Sequence, residues 1–170
     1  MNCNEHETSQ LEMTRGTGRR SGALRVCVVY EGVRDWRRAW LLLDHLHIAA
    51  DVVFAVEWFS FEELPMFFER ACREGAGAEL VVLARSKRQP VPVDVHRWLM
   101  AVRDEVGLHP AALIGLFSEA EPGERVCPWE RLLQDVAVAG GRDLFIRTTD
   151  AVPAVPAPDE VGQTVFKNLR

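Results

Sequence analysis

The sequence lacks the signals of several large classes of protein. Its four cysteines are far apart and follow neither CxxC nor zinc-ligand spacing, which argues against a disulfide framework and favours a reducing compartment. No apolar run approaches the roughly 18 residues that a membrane span requires, and the polar start of the chain has no signal-peptide core. The net charge of −5 argues against a nucleic-acid binder that works through a basic surface. We therefore expect a cytoplasmic protein that neither crosses a membrane nor binds nucleic acid.

Short apolar runs alternate with amphipathic stretches along the middle of the chain. The predicted strands are Leu24–Glu31, Asp51–Phe59, Ala78–Ala84, Ala111–Phe117 and Asp143–Arg147. Parallel strands need helical crossovers, so this alternation predicts an α/β domain with a three-layer, open, five-stranded parallel sheet. We expect the flavodoxin-like strand order 2-1-3-4-5. A Rossmann-like sheet is the alternative, but its sixth strand is missing.

The amphipathic stretches between these runs are predicted to be helices. They are Val33–Ile48, Glu62–Glu74, residues 94 to about 106, and residues 128 to about 139. In the first helix one set of residues is expected to face the sheet, and the charged residues fall largely on the other side. The inner set is Trp36, Trp40, Leu43 and His47, and the outer set is Arg34, Asp35, Arg37 and Arg38. Pro65 fits only the first turn of the second helix, whose inner residues are Leu64, Phe67, Phe68 and Cys72.

The chain divides into one domain with a tail at each end. Residues 1–22 are polar and aperiodic, which predicts a flexible leader. The GTGRRSG segment in this leader precedes the first strand, so it does not lie between strand and helix as a phosphate loop must. Residues 23–150 form the α/β domain, and residues 151–170 form a Pro- and Ala-rich C-terminal tail that favours extended structure.

The segments that follow the strands define the candidate site, because ligands of such sheets bind outside the carboxyl ends of the strands. Cationic loops are common on protein surfaces, so a solvated basic loop is the favoured interpretation of these residues, and an anionic small molecule held by the clustered cations is the alternative. The candidate ligand-binding residues are Glu31, Arg85, Ser86, Lys87, Arg88, Ser118 and Arg147. No serine lies in a nucleophile elbow, and His45 and His47 point in different directions on their helix. We therefore assign no catalytic residue, no metal ligand and no cofactor.

On these residues the chain resembles the receiver domain of response regulators. That family carries paired acids after strand 1 for Mg²⁺, a phosphorylated Asp after strand 3, a Ser or Thr after strand 4 and a Lys after strand 5. This chain has one acid, Glu31, then Ala84-Arg85-Ser86 after the third strand and a matching Ser118. Because Mg²⁺ needs several oxygen ligands, the resemblance implies a degenerate receiver that is not phosphorylated.

The chain also resembles the flavodoxin-like FMN proteins and quinone reductases. They hold the FMN phosphate in a Ser/Thr/Gly-rich loop after strand 1, where this chain has the carboxylate of Glu31. Residues 90–98 (PVPVDVHRW) are similar to that family's proline-bearing loop, which runs into a helix. The same stretch, with Glu57-Trp58, is similar to a group of bacterial proteins, chiefly from Verrucomicrobia and Planctomycetes, and this resemblance implies no established activity.

Three aromatic residues fall at the carboxyl end of the predicted edge strand. They are Trp58, Phe59 and Phe61. Aromatic side chains at such an edge either lie under a helix or form a contact surface. We hypothesise that they support self-association or the binding of a protein partner.

Together these features predict a non-catalytic regulatory or protein-interaction module of receiver-like fold. The alternative is a small-ligand-binding protein or enzyme that uses an anion-binding crevice at the strand ends, for a flavin or a nucleotide. In that alternative Glu31 is the candidate general base.

Overall fold

Five strands alternate with four helices in the computed structural model, which describes residues 22–86, 90–104, 112–118 and 127–148. The elements are β1 (Leu24–Tyr30), α1 (Val33–Ala50), β2 (Phe54–Ser60), α2 (Phe68–Gly77), β3 (Leu80–Ser86), α3 (Val93–Asp104), β4 (Ala112–Ser118), α4 (Pro128–Ala139) and β5 (Asp143–Thr148). Of the helices described, none is both long and apolar enough to cross a membrane. The predicted leader before Gly22 and the predicted C-terminal tail lie outside the described residues.

The sheet has the predicted topology. All of its strand pairs are parallel, and their order is β2-β1-β3-β4-β5. The order reverses direction between β1 and β3, which makes this the topological switch point. In the register of the sheet Tyr30 of β1 lies beside Ala84 of β3, and Arg85 of β3 lies beside Phe117 of β4. The carboxyl ends of the central strands therefore meet at one edge of the sheet.

Two apolar layers cover the sheet, one on each face. On one face α1 packs over side chains of β1, β3 and β4, including Val28, Val82 and Leu116. On the other face α2, α3 and α4 enclose the larger core, whose biggest buried side chains include Trp98 and Trp129. Consecutive residues of β3 alternate between the layers, as the pleat of a strand requires. This double coverage explains the nearly continuous apolar runs in the sequence.

The second helix begins later than predicted. A reciprocal pair of bonds closes the turn after β2, because the amide of Glu63 donates to Ser60 Oγ (3.2 Å) and the amide of Ser60 donates to the Glu63 carboxylate (3.0 Å). This is the geometry of a capping box, but the helix does not continue from it. Pro65 has no amide hydrogen to extend the bonding, and residues 61–67 form turns before α2 starts at Phe68. Phe67, which we expected on the inner side, is 46% exposed as a result.

The end of the first helix also differs from the prediction. α1 continues to Ala50, and Asp51 ends it in the left-handed conformation with φ 51°. β2 therefore starts at Phe54, three residues after the predicted start at Asp51. Asp is one of the few residues other than Gly that adopt this conformation readily.

Candidate functional site

Arg85 occupies the center of the candidate site. It is the penultimate residue of β3, and its side chain is 0% exposed. The guanidinium carbon lies over the ring of Trp129, 4.1 Å from the ring centroid, and 5.8 Å from the centroid of Phe61. The two rings are stacked on each other, with centroids 6.4 Å apart and planes inclined by 23°. We call Glu31, Phe61, Arg85 and Trp129 the strand-end cluster.

The polar partners of Arg85 come from the two neighboring loops. Its Nη2 lies 3.4 Å from Glu31 Oε1, directly after β1, and its Nη1 donates to the carbonyl of Pro90 at 3.2 Å. Burial lowers the pKa of the Arg85 guanidinium, and the charges of Glu31 and Asp35 oppose that effect. A guanidinium stays protonated in proteins, so the strand-end cluster contains a buried cation that is held by an aromatic face, a carboxylate and a carbonyl.

A second charge pair lies at the start of α1, and it corrects our prediction for that helix. Asp35 and Arg38 were expected on the outer side, but each is only 7% exposed, and their side chains form an ion pair one helical turn apart. His47, expected inside, is exposed and faces the carbonyl of Val52, with Nδ1 at 2.7 Å. The charge of Asp35 also acts on the Arg85 guanidinium, so this pair lies near the strand-end cluster. An acid and an arginine at i and i+3, directly after a central strand, are the signal that our assignment overlooked.

The structure brings together only part of the predicted ligand-binding set. Glu31 and Arg85 meet, as described above. Arg147 is exposed on β5 and lies beside Leu116 of β4 in the register. The next residue of β4, Phe117, lies beside Arg85 of β3. Because side chains alternate across a sheet, Arg147 and Arg85 project from opposite faces and do not converge on one anion.

The remaining predicted ligand residues divide into two groups. Ser118 ends β4, is partly buried, and lies beside Ser86 of β3 in the register. Lys87 and Arg88 lie outside the described residues. In the part of the chain that the structure covers, no cluster of three or more His, Cys, Asp or Glu side chains could hold a metal ion.

The three aromatic residues of the predicted contact surface lie in different surroundings. Trp58 is partly buried on the α1 face, where its ring lies 5.8 Å from Trp36 and 6.3 Å from Tyr30. Phe59 is buried in the core on the opposite face, and Phe61 belongs to the strand-end cluster. Of the predicted surface, therefore, Phe59 contributes almost nothing that a partner could touch.

Comparisons with known proteins support the fold. No family model matches the sequence, and no curated protein matches it. Among solved structures, a flavodoxin of Streptococcus pneumonia TIGR4 is similar with a TM-score of 0.50 and 13% identity, over 76% of this chain and 86% of the other. The Trp repressor binding protein of Bacillus subtilis is similar with a TM-score of 0.45 and 10% identity, over 75% and 86%. With the sheet order, the first similarity shows that the chain has a flavodoxin-like α/β fold.

The residues at the start of α1 do not fit the phosphate of a flavin. The turn after β1 contains Glu31, and the first turn of α1 contains Asp35, so two carboxylates lie where a dianionic phosphate would need donors. The N-cap residue of α1 is Gly32, which has no side chain that could donate a hydrogen bond to a phosphate. Each of these carboxylates is paired with an arginine of the chain itself. The resemblance to FMN proteins therefore extends to the fold and not to this donor set.

Proposed function

We propose that this flavodoxin-like chain is a non-catalytic regulatory or protein-interaction module that is not phosphorylated. The observation that carries the proposal is the complete burial of Arg85 against Trp129 at the switch point of the sheet. The contacts of Arg85 with Trp129 and Glu31 place side chains of the protein itself at the switch point, next to which ligands of this architecture bind. A function that uses the outer surface of the domain is consistent with such a filled strand end.

The energetics of the strand-end cluster support this proposal. A ligand that enters must displace Arg85 from the ring of Trp129 and from Glu31. Breaking a buried ion pair costs roughly 3–5 kcal/mol, and the partial exposure of Glu31 favours the lower end of that range. A penalty of about 3 kcal/mol would weaken the affinity of any such ligand roughly a hundredfold.

The residues at the end of β3 argue against phosphotransfer. The receiver family has its phosphorylated Asp at this position, and this chain has Arg85 followed by Ser86, the last residue of the strand. A buried cation at this point offers no oxygen ligand to Mg²⁺. We therefore propose that the chain functions like a receiver domain that cannot be phosphorylated.

We also propose a cellular location and a kind of partner for the module. We place it in the bacterial cytoplasm, on the composition of the sequence and on its resemblance to the Verrucomicrobia and Planctomycetes proteins. Its expected partner is another protein or a second copy of the chain, and the surface that contains Trp58 remains a candidate for that contact.

Calorimetric titration of the purified protein tests the proposal. FMN, ATP with Mg²⁺ and inorganic phosphate should give no saturable heat, and treatment with acetyl phosphate should add no phosphoryl group to the intact mass. Arg85→Ala serves as a matched variant, because it opens the strand end and removes the cation. Saturable micromolar binding of FMN or ATP to the wild type, weakened in Arg85→Ala, would instead establish the alternative, a ligand-binding crevice.

A further inference from the structure

One edge of the sheet is formed by a strand with exposed apolar side chains. Among the strands that the structure describes, β5 pairs with β4 alone, so one row of its backbone N–H and C=O groups points away from the sheet. Phe145 and Ile146, in the middle of β5, are 58% and 41% exposed. An exposed apolar edge is a template for pairing with another strand, and proteins commonly protect such edges with lysine or proline. β5 contains neither residue type.

The sequence of β5 is complementary to itself when it is read in reverse. Asp143 and Arg147 lie two positions before and after Phe145, and Leu144 and Ile146 lie directly on either side of it. Reversal therefore exchanges an acid for a base and one aliphatic residue for another. Two copies of a chain related by a two-fold axis present the same surface to each other, so an antiparallel pair of these strands meets the requirement of self-complementarity.

Two-fold symmetry restricts the register of such a pair. Antiparallel pairing of identical edge strands needs an axis normal to the sheet, which places one residue opposite itself. With Phe145 on the axis, Asp143 lies opposite Arg147 of the second copy, and Leu144 lies opposite Ile146. With Leu144 or Ile146 on the axis, Phe145 would lie opposite a charged residue instead. The register centred on Phe145 therefore matches both charge and apolar character.

The pleat of the strand is consistent with this register. Phe145 lies beside Ile114, a residue of the α1-face layer, whereas Leu144 packs against the core on the opposite face. Since alternate residues point to one side, Asp143, Phe145 and Arg147 share the α1 face. In the pair of strands, two Phe145 rings meet on that face between two Asp143–Arg147 pairs. Aromatic pairs and opposite charges on neighbouring strands both stabilise a sheet.

The other charged residues near β5 do not oppose the pairing. Arg142, the residue before β5, is placed opposite the uncharged Thr148 of the second copy, and its Nη2 donates to the carbonyl of Val102 at 3.2 Å. The exposed charged residues of α4, the helix that packs on β5, are Arg131 and Asp135, one of each sign. The register therefore brings no like charges directly opposite each other.

The opposite edge of the sheet lacks this complementarity. Glu57 is the middle residue of β2, so two-fold pairing centred on that strand would place Glu57 opposite itself. Like charges directly opposite each other destabilise a pair of strands. The carboxylate of Glu57 is also bonded to Arg70 of α2 at 2.6 Å. Of the two edges, β5 is therefore the one suited to a second copy.

We propose that the chain forms a homodimer in which β5 pairs antiparallel with β5 of a second copy and Phe145 lies on the two-fold axis. The two sheets then form one continuous sheet, and the overlap of residues 143–147 adds about four to six backbone hydrogen bonds. The interface is small, so we expect a dissociation constant on the order of 10 μM. This inference rests on the proposed function as an interaction module and specifies a second copy as the partner and β5 as the surface.

Analytical ultracentrifugation of the full chain tests the dimer. Between about 1 and about 200 μM the wild type should change from monomer to dimer. Asp143→Arg places two bases opposite each other and Arg147→Asp places two acids opposite each other, so each should weaken dimerisation at least about tenfold. A monomer over the whole range, or a dimer that both substitutions leave unchanged, would overturn the proposal.

A charge exchange provides the matched control. The double substitution Asp143→Arg with Arg147→Asp keeps the net charge and restores opposite charges across the axis, so it should dimerise like the wild type. An equimolar mixture of the two single variants should form a heterodimer, because each arginine of one strand then lies opposite an aspartate of the other. Failure of both the double variant and the mixture to associate would overturn the proposed register.

Disulfide trapping tests the position of the axis. Residues opposite each other in an antiparallel pair have Cα atoms about 4.5–5.5 Å apart, within the range of a disulfide, so Phe145→Cys should give a covalent dimer on oxidation with copper phenanthroline. Ile146→Cys is the control, since diagonal neighbours lie about 7–8 Å apart and should link much less. The wild type measures linkage through its own cysteines. Equal linkage in the two variants would overturn the register.

Three outcomes distinguish this inference from the proposed function. A dimer that persists in the β5 variants and is lost in Trp58→Ala would assign self-association to the surface that contains Trp58, and would overturn the pairing of β5. A monomer that binds neither FMN, ATP nor phosphate would overturn this inference alone. Saturable binding of FMN by a protein that dimerises through β5 would support the pairing and contradict the proposed function.

Discussion

The guanidinium carbon of Arg85 lies 4.1 Å from the ring centroid of Trp129, although the two residues belong to β3 and α4. Both side chains are 0% exposed. A desolvated cation over an indole face is worth about 2 kcal/mol, and the same cation reaches Glu31 of the loop after β1. This contact therefore joins three segments of the chain at the switch point of the sheet.

The first prediction concerns the stability that depends on Arg85. Arg85→Ala should lower the free energy of unfolding by roughly 3–5 kcal/mol, because it leaves a cavity against Trp129 and removes the cation beside Glu31. Arg85→Met, which keeps an unbranched side chain and removes the charge, should cost less. Denaturation in urea measures both. Equal stability of wild type and Arg85→Ala would contradict the buried contact.

Gly75 of α2 provides a prediction about close packing. A Cβ at this position would lie 2.7 Å from Val102 Cγ2 and 3.1 Å from the ring of Trp98, both on α3. Gly75→Ala should therefore destabilise the protein by roughly 1–3 kcal/mol, despite the usual preference of helices for alanine. Gly77→Ala is the matched control, because its Cβ would meet only the guanidinium of Arg25. A Gly75→Ala variant as stable as Gly77→Ala would contradict the packing of α2 on α3.

The buried thiol of Cys27 should affect stability at alkaline pH. Burial, with smaller effects of Glu74 and Glu57, raises the pKa of Cys27 from 9.0 to about 12. Above pH 9 the unfolded chain loses this proton first, so the contribution to stability is complete below pH 9 and decreases toward pH 12, by about 1.4 kcal/mol per pH unit. The difference in unfolding free energy between wild type and Cys27→Ala should show this slope. A difference independent of pH would contradict the raised pKa.

Alkylation should distinguish the cysteines of the domain. Cys27 and Cys127 are buried and Cys72 is partly exposed, so iodoacetamide should label Cys72 well before the other two. Peptide mapping by mass spectrometry gives the order, and the unfolded protein, in which all should react, is the control. Labelling of Cys27 at the rate of Cys72 would show that β1 is not covered as described.

The sequence predicted the sheet well because its central strands β1, β3 and β4 are covered on both faces and read as continuous apolar runs, although the edge strand β5 is largely exposed. The apolar runs and the spacing of the crossovers predicted the strand order 2-1-3-4-5, which the structure confirms. Element ends were less accurate where local chemistry decides them, as at Pro65, which delays α2, and at Asp51, which ends α1 with a positive φ.

The candidate site was predicted only in part. Periodicity assigned Asp35 and Arg38 to the solvent side, because charged residues of an amphipathic helix usually face solvent and the pattern carries no information on where the sheet ends. Glu31 and Arg85 were found from their position after the strands, but only the fold shows that they pair with each other. The ring of Trp129 over Arg85 comes from residues far apart in the sequence, which no spacing rule connects.

Amide NMR spectra during titration with FMN and inorganic phosphate test the central claim most directly. The account predicts that the amides of Gly32, Val33 and Arg34 and the indole N–H of Trp129 do not shift saturably with either ligand, since Arg85 fills the strand end. Saturable shifts of these signals at micromolar ligand would contradict the account.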